Sequence, residues 1–131
     1  MIGLDTNVLV RYIMQDDPKQ AAKATKLVES LTGDEPGFVA LVSVVELVWV
    51  LSSCYDLTRE QLTQALEALL RAKQLVVDQA DQVVRATRVF AAGSADFADC
   101  LVERTASSAG CTKTITFDVA ASKTAGMTLI Q

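Results

Sequence analysis

The sequence predicts an α/β protein, a three-layer α/β/α sandwich with a central, mainly parallel sheet. Two observations carry that expectation. Short apolar runs of strand character alternate with longer amphipathic segments of helical period, the pattern of strand–helix–strand crossovers. The chain has 131 residues, 50% of them hydrophobic and 21% charged, which suits one globular domain able to bury a core without staples. A single domain over residues 1–131 is therefore expected, since no repeat, low-complexity segment or internal linker interrupts the alternation.

The first strand is Ile2 to Leu4, and it stops at Asp5-Thr6-Asn7 before a second apolar run, Val8 to Ile13, that begins a helix. Asp16-Asp17-Pro18 is a helix start, with Asp17 as N-cap and Pro18 at the first helical position. Ala24, Leu27, Val28 and Leu31 then share one face, lysines take the other, and Gly33 to Gly37 breaks the helix. Phe38 to Val42 reads as the next strand, and Ser43 opens an apolar helix toward Tyr55. Thr58-Arg-Glu-Gln61 is a capping box, followed by Leu62, Ala65, Leu66, Leu69 and Leu70 at helical spacing, so these two helices form a hairpin. The apolar stripes Val44 to Leu51 and Leu62 to Leu70 suit core packing or a partner surface.

Leu75 to Val77 is a short strand, and Asp81 to Ala92 a helix stopped by Gly93. Asp96 to Ala109 is a further helix, carrying Phe97, Leu101, Val102 and Thr105 inward and stopped by Gly110. Thr114 to Phe117 is a strand, Asp118 caps a short helix that ends at Gly126, and Thr128 to Ile130 is the last strand.

Composition narrows the chemistry. There is no histidine, which removes Ser-His and Cys-His nucleophile systems and most catalytic zinc sites. Cys54, Cys100 and Cys111 form no Cys-x-x-Cys pair and read as small buried fillers. No signal segment and no apolar run long enough for a membrane span is present, so the protein reads as soluble and cytoplasmic. The net charge of −4 disfavours a general nucleic-acid binder unless a metal ion changes the local sign.

Four acids share a context. Asp5, Glu46 and Asp118 follow a strand or open the next helix, and Asp99 lies in the first turns of another. In an open parallel sheet the carboxyl ends of the strands share one edge, where ligands bind. Carboxylates gathered there repel unless a cation compensates them, and with oxygen donors alone the favoured ion is Mg²⁺ or Mn²⁺. Each acid also has an ordinary structural role: Glu46 in a capping box with Ser43, Asp118 as an N-cap, Asp96 and Asp99 as cap and dipole partner, Asp5 as an Asx-turn or N-cap residue. Taken singly, caps are commoner than ligands. Glu46, however, sits inside Val-Val-Glu-Leu-Val-Trp-Val, where an acid is expected to need a buried partner. Asp96 competes with Asp99, and Glu103, one turn on, shares its face or is a surface acid beside Arg104. Thr6, Asn7, Ser43 and Thr116 flank the acids with hydroxyl and amide groups suited to water, metal or phosphate.

The stretches Asp-Thr-Asn-Val-Leu-Val-Arg-Tyr at 5–12, Glu-Leu-Val-Trp-Val-Leu at 46–51, Ala-Asp-Phe-Ala-Asp-Cys-Leu-Val at 95–102 and Thr-Phe-Asp at 116–118 together resemble the PIN domain, in particular VapC-type toxins of toxin-antitoxin pairs. The resemblance implies a single PIN-like nuclease domain over 1–131, usually a homodimer, that cleaves RNA and is inhibited by a small VapB-like antitoxin. It places Asp5, Glu46, Asp99 and Asp118 on the acidic positions, Thr6 and Thr116 on hydroxyl positions, and Asn7 in the opening motif. Cys100 and Lys123-Thr124-Ala125 depart from the common pattern without touching an acid.

The implied reaction is attack of an ion-activated water on an RNA phosphodiester, with one or two Mg²⁺ or Mn²⁺ ions and phosphate contacts from Arg11, Arg104 or Lys113. Two other classes compete. A catalytically inactive PIN-fold RNA-binding or scaffold protein would keep the acids for structure alone. An aspartyl phosphatase is disfavoured because Asp5-Thr6-Asn7 lacks a second acid two residues on.

Overall fold

A computed structural model describes the whole chain, Met1–Gln131. The chain divides into two compact units, Met1–Ala80 and Asp81–Gln131. In the first, the elements are β1 (Ile2–Gly3), α1 (Thr6–Met14), α2 (Pro18–Ser30), β2 (Gly37–Val39), α3 (Leu41–Ser53), α4 (Arg59–Arg71) and β3 (Leu75–Val77). The strands form one sheet in the order β1-β2-β3, parallel throughout, with Gly3 beside Phe38 and Val39 beside Val77. Each crossover is therefore a pair of helices, as the alternation of sequence patterns predicts.

The core of this unit is built by Leu9, Val28, Val39, Val44, Leu47, Leu51 and Leu66, all buried. The stripes of α3 and α4 supply that core, because Val44, Leu47, Leu51, Leu62, Leu66 and Leu69 all face inward. Gly37 marks the tightest approach: a β-carbon there would meet Leu4 at 2.8 Å, Leu31 at 2.9 Å and Leu75 at 3.0 Å. Asp17 caps α2 through Gln20 N–H, and Thr58 and Gln61 form the predicted capping box of α4.

The start of α3 differs from expectation. The strand stops at Val39 rather than Val42, and the helix begins at Leu41 rather than at Ser43. The physical reason lies on the neighbouring strand. Asp78 donates its N–H to the Val39 carbonyl at 2.9 Å, and its carboxylate accepts the Leu41 N–H at 3.4 Å, so Ala40 becomes the extended N-cap residue. Ser43 is thereby drawn into the first turn of the helix and buried.

The second unit contains α5 (Ala80–Ala92) from its second residue onward, α6 (Phe97–Ser108), β4 (Ile115–Thr116), α7 (Val119–Thr124) and β5 (Thr128–Leu129), with β4 and β5 paired in parallel. Phe90 and Phe97 meet edge to face at 5.7 Å, among buried Val83, Ala86, Cys100 and Leu101. Val102 is exposed rather than inward, and Cys100 fills the core position instead. Cys54 and Cys111 are exposed, so of the three cysteines Cys100 alone is a buried filler. Gly126, at φ 77°, supplies the left-handed turn after α7. No helix is long and apolar enough to cross a membrane.

Candidate active site

In the first unit the parallel strands bring their carboxyl ends to one edge. Asp5 follows β1, the start of α3 follows β2, and Asp78 follows β3. Asp5 is the N-cap of α1, yet its side chain makes no capping hydrogen bond and is exposed. Its carboxylate is left free of helix duty beside the positive end of the helix dipole. Thr6 is buried at 4% exposure, and its hydroxyl donates a short hydrogen bond to Glu46 Oε1.

That bond links the opening motif to α3. Glu46 is exposed rather than sunk in the apolar helix face, so the buried partner expected for it is the Thr6 hydroxyl, not a buried charge. The capping role suggested by the Ser43-to-Glu46 spacing is absent, because α3 has no side-chain cap from its own residues. Asn7 is exposed one residue further along α1.

In the second unit, Asp96 is the N-cap of α6 and, like Asp5, makes no side-chain capping bond. Asp99 lies in the first turn of that helix. Burial, followed by the charges of Asp96 and Asp118, pushes the Asp99 carboxyl above its ordinary value. Asp118 caps α7, its Oδ1 accepting from Ala120 N–H at 2.8 Å and Ala121 N–H at 3.2 Å. The loop before it is fixed by Thr116, whose hydroxyl accepts the Asp118 N–H at 3.0 Å. Asp118 therefore keeps Oδ2 clear of helix capping while its orientation is set by the helix start.

Glu103 follows a different course from the other acids. It is gripped bidentately by Arg104, at 2.5 and 2.7 Å. Asp96 and Asp118, not Glu103, are the acids whose charges act on Asp99.

The three cations singled out in the sequence have different surroundings. Arg11 is bound to both Asp16 oxygens at 3.2 Å, to the Tyr55 hydroxyl at 3.1 Å and to Gln20 at 2.7 Å. Tyr55 also donates to Asp16 at 2.6 Å, and this hydrogen bond, ahead of the Arg11 charge, holds the Asp16 carboxyl below its ordinary value. Arg104 is held by Glu103, while Lys113 is exposed and makes no ion pair.

Asp78 is the residue that sequence reasoning passed over. Its signal was available, since it follows Leu75 to Val77 as Asp5 follows its own strand.

In neither unit are three acid or cysteine side chains drawn together tightly enough to grip one ion. The donor chemistry nevertheless fits a hard divalent cation, because the candidate groups are all carboxylates. No curated protein matches the sequence significantly. A family model for the PIN domain matches residues 2–127. PIN domains are α/β folds of nuclease type that typically use divalent metals, which agrees with the parallel strands, the helical crossovers and the all-oxygen donor set found here. The chain therefore belongs to the PIN domain family.

Proposed function

We propose that this protein is a metal-dependent endoribonuclease acting in the cytoplasm as the toxin of a type II, VapC-type toxin-antitoxin pair. The observation that carries the nuclease reading is the PIN-domain match over residues 2–127, together with the exposed Asp5 carboxylate that follows β1 and makes no capping bond. Partial burial, and then the charges of Asp96 and Asp118, push the Asp99 carboxyl above its ordinary value, and a bound cation would favour its ionised form.

In this reading Asp5, Glu46, Asp99 and Asp118 are the metal-binding acids. When bound, Mg²⁺ or Mn²⁺ supplies positive charge to the scissile phosphate and makes water more acidic. The chain's own residues prepare for that. Thr6 fixes one oxygen of Glu46, Thr116 fixes the loop that presents Asp118, and Asp5 keeps its carboxylate free at a helix start.

Partner binding is part of the proposal. Val42 and Trp49, seven residues apart on one face of α3, are 74% and 63% exposed. Exposed apolar side chains of that size support an interface with a second copy or with a small VapB-like antitoxin.

Two experiments test the reading. Induced expression should arrest growth, with rescue by co-expression of a small VapB-like antitoxin. The purified protein should cleave RNA with Mn²⁺ or Mg²⁺ and stop when EDTA is added. A protein that is harmless when expressed alone and inert toward RNA under both ions is not a toxin nuclease.

A further inference from the structure

The chain has six lysines, and three of them lie on α2 at positions 19, 23 and 26. At 100° per residue these three fall within a narrow arc of the helix, forming one line about 10 Å long. All three are exposed, and none makes an ion pair. The acids before them are occupied: Asp16 by Arg11 and Tyr55, Asp17 by the Gln20 N–H. Glu29, in the last turn, is the one acid on the helix itself.

Lys23, the middle lysine of the row, lines a groove of about 280 Å³ between α1 and α2, with Asn7, Val8, Arg11, Gln20 and Leu27 among the other lining residues. Its floor is mostly apolar and its rim is cationic and amide-bearing. Its α1 wall begins at Asn7, two residues from Asp5. In a chain of net charge −4, a row of three lysines without ion pairs, one of them on a groove that begins two residues from Asp5, is suited to a polyanionic partner.

We propose that the Lys19-Lys23-Lys26 row and the adjoining groove carry the single-stranded RNA substrate toward Asp5. The inference rests on the nuclease reading above. The lysines take successive phosphates, while the Val8 and Leu27 floor accepts the apolar faces of sugar and base. An extended strand with regular charges and flat apolar faces matches both features. An acidic protein segment would match the charge alone.

The test uses the full chain and a short fluorescein-labelled single-stranded RNA, with EDTA present so that binding is read without cleavage. The variant is Lys19→Gln/Lys23→Gln/Lys26→Gln; glutamine keeps helix propensity, and circular dichroism verifies the fold. Anisotropy titrations over a range of salt should show RNA binding weakened about tenfold, and the log–log salt slope reduced by about 2, since each lost phosphate contact on a single strand removes about 0.7. The control is Arg71→Gln/Lys73→Gln, two exposed cations just before β3, at the opposite edge of the sheet from Asp5. It should leave the slope nearly unchanged.

Unaltered affinity and slope in the triple variant overturn the proposal, as does an equal loss in the control, which would reduce the effect to net charge. Retained RNA binding with loss of polyglutamate binding also overturns it in favour of an acidic protein partner. Cleavage assays alongside separate the two levels. If the wild type cleaves RNA while the triple variant binds normally, the path is wrong and the nuclease stands. If the wild type neither binds nor cleaves, the nuclease reading fails first.

Discussion

Thr6 is the residue on which the first unit's candidate chemistry turns. Its hydroxyl is buried and spent on Glu46, so Thr6→Val removes a hydrogen bond while keeping the side-chain shape. The expected loss of stability is about 1 kcal/mol. The expected loss of metal affinity or cleavage rate is roughly 10- to 100-fold, the usual effect of removing a group that orients a ligand. Thr6→Ser should recover most of both. Calorimetric Mn²⁺ titration beside a cleavage assay measures the two effects separately.

Asp99 makes a pH prediction. Its carboxyl titrates above its ordinary value of 3.8, so the folded chain holds that proton more tightly than the unfolded chain. The ionised group therefore costs stability at pH values above its raised pKa, and that cost disappears as pH falls through the raised pKa toward 3.8. Asp99→Asn should melt higher than the wild type at neutral pH without metal, with the difference shrinking on acidification. A wild type equal to or more stable than Asp99→Asn at neutral pH would contradict the assignment. Asp5 and Asp118 stood out in the sequence because each follows a strand and starts a helix, Asp99 because it lies in a first turn, and Glu46, the sixth residue of α3, only because of its apolar neighbours. Their partners did not stand out, since Thr6 and Glu46 are 40 positions apart and no local pattern pairs them.

Caps and glycines carry the account at the scale of elements. The Thr58–Gln61 capping box was readable because both partners lie within one turn, and Thr58→Ala should cost about 1 kcal/mol in chemical denaturation. The start of α3 was misread for the opposite reason. Ser43 and Glu46 have capping-box spacing, but the acceptor at the helix start is Asp78, from a strand 37 residues away. Gly37→Ala places a methyl group within 3.0 Å of Leu4, Leu31 and Leu75, side chains already enclosed by β1, α2 and β3. It should destabilise the protein by about 1–3 kcal/mol, measured as a lower denaturation midpoint with an unchanged slope. Helix stripes were the most readable elements, because a period of 3.6 over thirteen residues in α2 and α4 leaves little ambiguity. Strands of two or three residues offered too few positions for period or boundary to register, and their ends were overestimated.

For the whole molecule, a net charge of −4 argued against nucleic-acid binding, yet the charge is unevenly arranged, with α2 carrying half of the lysines. Totals hide such rows, and the helical period reveals them. The absence of histidine narrowed the available chemistry to carboxylates, hydroxyls, amides and the lysines or arginines before any fold was known. The central claim is that Asp5 is a metal-binding acid of a ribonuclease rather than a turn residue. The measurement that tests it most directly is Mn²⁺-dependent cleavage of RNA by Asp5→Asn, beside its thermal unfolding. The Asp5 side chain makes no capping bond, so the variant should fold and melt like the wild type while cleavage is abolished. Undiminished cleavage by a folded Asp5→Asn protein would contradict the claim.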